Sequence, residues 1–129
     1  MELMFKRETQ RKGDRAVAQA VATFTRQGYD VALPFTESAA YDLIVDLDGL
    51  LKRVQVKFSS GKKVDLRRIH SNSRGYVVKK VRTNAYDWLY VLDADGNEYL
   101  FDACFANRRA VSIQDRYQIS VTLSRQNGR

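Results

Sequence analysis

The chain has 129 residues, 44% of them apolar and including six Phe, seven Tyr and one Trp, enough for one core, too few for two ordinary domains, and inconsistent with general disorder. Lys and Arg number 22 against 15 Asp and Glu, a net charge of +7 that draws the chain to polyanions, nucleic acid first. No stretch is apolar enough for a secretory leader or a bilayer span and none pairs a long apolar face with a basic one, so a membrane partner is set aside and a cytoplasmic location is expected.

The lone cysteine, Cys104, excludes intramolecular disulfides and thiolate metal clusters and is expected to be buried. In chain order, Ala16, Val17, Ala20, Val21 and Phe24 form one apolar stripe that predicts a helix over Gly13 to Gln27, stopped by Gly28. Asp30 to Phe35 reads as a short strand broken by Pro34, the only proline, and Thr36 to Ala40 as a polar loop. Tyr41 to Asp46 and Lys52 to Phe58 are β-rich runs joined through Asp48-Gly49, a tight-turn signal, and predict a hairpin. In its second strand Val54, Val56 and Phe58 share one face, and Arg53, Gln55 and Lys57 the other.

Ser59 to Lys63 reads as a basic loop, and Gly75 to Val78 as a short strand within a polar, basic stretch. Trp88 to Leu92 and Glu98 to Phe101 flank Asp93-Ala94-Asp95-Gly96-Asn97 and predict a second hairpin. Tyr76, Tyr86, Trp88 and Tyr90 are expected to pack in the core for the most part. Ala103 to Arg109 is predicted as a short helix, Gln118 to Leu123 as a last strand, and 124–129 as a frayed tail. These elements describe one domain over residues 1–129, an α/β layer with a mixed sheet and helices packed on it; their order alone does not set the topology.

One constellation has the composition of a phosphodiesterase site. Asp42 opens one strand, and Gln55-Val56-Lys57 stands thirteen residues later on the partner strand. A carboxylate and an amide oxygen suit a hard divalent cation such as Mg²⁺, with Mn²⁺ as the alternative. A lysine on the same face can orient or deprotonate an attacking water, or balance charge at phosphorus. By themselves these residues fit an ordinary solvent-facing hairpin equally well.

From Lys52 to Ala85 Lys and Arg occur eleven times, and Asp65 is the only acid. With Lys12, this stretch supplies the candidate nucleic-acid contacts: Lys62, Lys63, Arg67, Arg68, His70, Asn72, Arg74, Lys79, Lys80 and Arg82. Within it, His70-Ser71-Asn72-Ser73-Arg74 has the Arg and Asn donors that read guanine and adenine edges, but an exposed loop accounts for the same residues and is the preferred reading. His70 has no second histidine to join it in a metal site. Asp93 to Asn97 is read as a hairpin turn and not a calcium loop, because the later glutamate is absent and strands flank it.

Lys12-Gly13-Asp14, the helix, Gly28-Tyr29-Asp30-Val31, Pro34-Phe35, Tyr41-Asp42-Leu43-Ile44-Val45-Asp46, Gly49 and Arg53-Val54-Gln55-Val56-Lys57 occur in an order that resembles the PD-(D/E)XK nuclease superfamily over roughly residues 12 to 102. The Gln-x-Lys second motif is similar to the branch of small group I intron homing endonucleases. The resemblance implies a restriction-endonuclease-like core of a mixed sheet with flanking helices. It also implies metal-dependent, site-specific cleavage of double-stranded DNA by a homo-dimer or homo-tetramer. It assigns the metal to Asp42, Gln55 and the Val56 carbonyl, and catalysis to Asp42, Gln55 and Lys57. The family's helix glutamate, five residues after the lysine of the Lys-Gly pair, is Val17 here. Asp14, one turn earlier, is expected to serve the helix N-terminus instead. Three readings of Val17 follow: a working site with fewer carboxylates, a weakened or silent DNA- or RNA-binding module that keeps the fold, or an introduced substitution.

Overall fold

The computed structural model describes residues 8–72, 75–79, 83–106 and 108–119, with side chains omitted for 68–72 and 75–79. Helix α1 runs from Glu8 to Arg26 and buries Ala16, Ala20, Thr23 and Phe24 along one face. It begins five residues before Gly13, so Asp14 lies inside the helix and exposed, not in its first turn. Its end follows the sequence expectation. Gly28 adopts φ 91°, its N–H donates to the Thr25 carbonyl (2.9 Å) and that of Tyr29 to the Phe24 carbonyl (3.2 Å), which satisfies the last carbonyls of the helix.

Among the described residues nine strands follow: β1 Asp30–Ala32, β2 Leu43–Leu47, β3 Leu50–Ser59, β4 Lys63–Asp65, β5 Arg68–Asn72, β6 Gly75–Lys79, β7 Trp88–Asp93, β8 Glu98–Phe101 and β9 Ala110–Ser112. The central sheet has the order β1-β2-β3-β7-β8, parallel only between β3 and β7 and antiparallel elsewhere. Two small antiparallel pairs, β4 with β9 and β5 with β6, accompany it. The β2–β3 turn has Asp48 at φ 56° and Gly49 at φ 99°, the positive values that a two-residue hairpin turn requires, and Asp46 Oδ1 accepts the Gly49 N–H at 2.6 Å.

Each face of the sheet has its own core. On the helix side Ala16, Ala20 and Phe24 meet Leu43, Val45, Val54, Val56, Trp88, Tyr90 and Leu92. Phe24 stacks on Trp88 at a centroid distance of 6.0 Å and tilts against Tyr90 at 6.1 Å. The Tyr90 hydroxyl donates to Glu98 Oε1 at 2.7 Å, the same oxygen that accepts from Thr23, so the polar groups at this boundary are satisfied. Burial, together with that carboxylate, drives the Tyr90 phenol far above its usual range. On the opposite side Leu89, Val91 and Phe101 pack with Val64, Leu66, Tyr86, Tyr99 and Val111. Strand β7 feeds both cores because alternate residues point to opposite faces.

Some expectations are corrected. Ala103–Arg109 forms no helix among the described residues, the Asp30 strand stops at Ala32, and Lys63 lies in β4 rather than in a loop. Cys104 is half-buried. Of the expected strand at 118–123, Gln118 makes a single bridge to Tyr99, Ile119 is buried in the helix-side core outside any strand, and 120–123 fall outside the described residues, as does the 124–129 tail. Among the described residues no helix is long and apolar enough to cross a membrane.

Candidate active site

The site sits where the sheet forks. Strand β2 pairs with β3 only from Leu50 to Val54, while β3 continues to Ser59 against β7 on its other side. One last ladder bond, Asp42 N–H to the Val54 carbonyl (2.8 Å), brings Asp42 to the mouth of the fork. There the Asp42 carboxylate meets the freed edge of β3: its Oδ2 accepts the Val56 N–H at 2.8 Å and the Gln55 side-chain amide at 2.9 Å. A backbone donor and a side-chain donor on one oxygen fix the orientation of the carboxylate.

Gln55 Nε2 also lies 3.4 Å from the Val56 carbonyl oxygen. An NH₂ group bearing partial positive charge therefore occupies the space between a carboxylate oxygen and a carbonyl oxygen, which is where a cation bound to both would stand. Rotation of roughly 180° about the terminal bond exchanges Nε2 for Oε1 and turns the amide from donor to acceptor. All donors at this point are then oxygens, the set that hard divalent cations select. Among the described residues no group of three or more His, Cys, Asp or Glu is arranged for a metal, so a cation here depends on the amide and carbonyl oxygens as well.

A cavity of about 330 Å³ opens over the fork, lined by Asp42, Gln55, Tyr41, Val17 and the loop after β1, Glu37 included. Val17 reaches it from α1 while also packing against the helix-side core. Lys57 lies two residues beyond Gln55 on the polar face of β3, and its Nζ donates to the Arg67 carbonyl at 3.3 Å. Asp42, Gln55, Lys57 and Val17 are all half-buried, accessible to solvent on one side.

The sequence profile of the PD-(D/E)XK endonuclease family matches residues 7–117 of this fold. The chain belongs to the PD-(D/E)XK endonuclease family. Among solved structures it is similar to the bacterial homing endonuclease I-Ssp6803I, with a TM-score of 0.73 and 27% identity over 94% of this chain and 95% of that one. No curated protein matches the sequence. The mixed sheet with a helix packed on it agrees with the restriction-endonuclease-like core that the resemblance implied, and of the expected flanking helices α1 is the one α-helix among the described residues.

Of the candidate nucleic-acid contacts of this PD-(D/E)XK protein, Lys12, Lys62 and Lys63 are exposed, and Lys12 lies over the Phe58 ring at 5.6 Å. Arg68, His70 and Asn72 are on β5 and Lys79 on β6, with side chains outside the described set; Arg74, Lys80 and Arg82 are outside the described residues altogether. Among the described residues, two basic side chains form ion pairs that the local sequence pattern does not reveal. Arg53 pairs with Asp87 at 3.1 Å, and the Arg53 hydrogen bond holds the Asp87 carboxyl below its ordinary value. Arg67 pairs with Asp65 at 2.7 Å, and its side-chain hydrogen bonds pull the Asp65 carboxyl down to about 2.

A depressed carboxylate contributes stability above its unfolded pKa and loses it as pH falls through the folded value, here about 2. Both partners are solvent-accessible, so the contribution is small. Arg67→Ala should move the Asp65 midpoint back up toward 3.8 in an NMR pH titration. An unmoved midpoint would refute the pairing in solution.

Proposed function

We propose that this chain is a divalent-metal-dependent endonuclease that hydrolyses phosphodiester bonds of double-stranded DNA at specific sites, in the manner of a homing endonuclease. The observation that carries the reading is the Gln55 amide held between the Asp42 carboxylate and the Val56 carbonyl at the open end of β3. Asp42, Gln55 and the Val56 carbonyl would hold Mg²⁺ or Mn²⁺, which when bound polarises the phosphoryl group and acidifies its water. Asp42, its carboxylate oriented by the Val56 N–H, would supply the charged oxygen that holds the cation. Lys57 holds or moves a proton at the attacking water, or balances charge on a phosphate oxygen.

The basic stretch after β3 is the docking surface for the duplex backbone, since a nuclease needs its positive field beside the scissile phosphate. Cutting both strands of a duplex calls for two sites, hence a symmetric homo-dimer or homo-tetramer of single-domain chains working inside the cell.

A second reading, a catalytically silent DNA- or RNA-binding module, is favoured by Val17. Incubating the protein with a random-sequence duplex pool in Mg²⁺ or Mn²⁺ separates the two. Cleavage that EDTA abolishes is the expected result. A protein that binds the pool without cutting, and gains metal-dependent cleavage with Val17→Glu, is the silent module; if neither protein cuts, the endonuclease reading fails.

A further inference from the structure

We propose that Glu37, on the loop between β1 and β2, supplies the second carboxylate of the cation site, taking over the charge that α1 lacks at Val17. The inference rests on the endonuclease reading above and deepens it.

Glu37 lines the same cavity as Asp42, Gln55 and Val17, and it and Asp42 are the two acidic residues among the described lining. The apolar Val17 presents the helix to the cavity without an oxygen donor. Charge then decides the matter. Gln55 and the Val56 carbonyl are neutral, so Asp42 alone would leave a divalent cation half compensated, whereas a second carboxylate matches its charge.

Space and environment agree with this assignment. A volume of about 330 Å³ holds roughly ten waters at about 30 Å³ each, enough for a cation that keeps part of its hydration shell and meets one of its carboxylates through water. Glu37 is exposed, and among the described residues no basic side chain forms an ion pair with it. Turning its carboxylate into the cavity would therefore break no ion pair among the described residues. The loop also leaves the sheet at Ala32 and returns at Leu43, immediately after Asp42, so it is anchored beside the fork at both ends.

The experiment is a calorimetric titration of the metal-free protein with Mn²⁺ in the absence of DNA, which reads the site without reference to cleavage. Glu37→Gln should weaken Mn²⁺ binding by about tenfold or more, with an unchanged unfolding temperature in EDTA. Glu37→Asp, which keeps the charge, should stay within about threefold of the starting protein, and adding Val17→Glu to Glu37→Gln should restore the affinity to a similar level. If Glu37→Gln binds as tightly as the starting protein while Asp42→Asn loses binding, Glu37 is no part of the site and the endonuclease reading survives. If Val17→Glu is required before any Mn²⁺ binds, the loop supplies no ligand and the proposal is overturned. Absence of binding in every variant, Val17→Glu included, would overturn both the proposal and the reading beneath it.

Discussion

Lys57→Ala is expected to slow DNA cleavage by about 10²–10⁴-fold, the range for loss of a positioned proton-transfer group, equivalent to roughly 3–5 kcal/mol of transition-state stabilisation. The amine projects from the polar face of β3 that also carries Gln55, and the Arg67 carbonyl at 3.3 Å helps set its position. Alanine removes the charge without adding bulk, and the backbone pairing of Lys57 with Val91 on β7 is unaffected by it. The loss should therefore appear in the single-turnover rate at saturating protein, with the unfolding temperature nearly unchanged. Asp42→Asn should act in the same direction because it removes the only charged oxygen held by the Val56 N–H. Equal single-turnover rates for the starting protein and Lys57→Ala would show that the chemistry is performed elsewhere.

Phe24→Ala should destabilise the fold by about 3–5 kcal/mol, the usual cost of deleting a fully buried aromatic ring. For a chain of this size that lowers the unfolding temperature by roughly 10–20 °C. Phe24 is 0% exposed and lies between Trp88 and Tyr90, so its ring connects α1 to β7 and leaves a cavity that rigid neighbours cannot refill. Phe24→Leu, which retains most of the volume, should cost much less. Differential scanning calorimetry of the three proteins decides the point. A loss below about 1 kcal/mol for alanine would mean that the helix is not packed on the sheet as described.

The parts of the fold legible in the sequence were those with short-range causes. Asp48-Gly49 announced the β2–β3 turn because only a few residue types tolerate positive φ there, and Gly28 announced the end of α1 for the same reason. The alternation in β3 separated Val54 and Val56, which enter the core, from Gln55 and Lys57, which do not. The first turn of α1 escaped notice because Glu8 to Lys12 is helical by propensity and shows no apolar period.

What depended on distant partners was not legible. The parallel pairing of β3 with β7 joins residues that no local pattern connects, and the three-residue strands β4 and β9 exist only as each other's partners. The run of Lys and Arg after β2 does not reveal that Arg67 is paired with Asp65 or Arg53 with Asp87. Asp42, Gln55 and Lys57 stand out in the sequence as an acid, an amide and an amine on paired strands, whereas the contact of Asp42 with Gln55 depends on β2 beginning one residue after Asp42 while β3 runs on. Glu37 had no signal at all: five positions before Asp42 in a polar loop, it is brought to the cavity only by the way the chain turns after β1.

The parallel β3–β7 pair also bears on how such a protein diversifies. The basic excursion leaves the sheet at Ser59 and returns at Trp88, which starts the adjacent strand opposite Val54, so its two ends are moored at opposite ends of the parallel ladder, roughly 17 Å apart at about 3.3 Å per residue along and about 4.8 Å across. Closing a tethered segment becomes costlier only slowly with length, by about 0.6 kcal/mol per doubling. Apart from Val64, Leu66 and Tyr86, which are packed into the second core, the excursion can accordingly change in length without disturbing Asp42 or Gln55, much as a tool head is changed on a fixed handle.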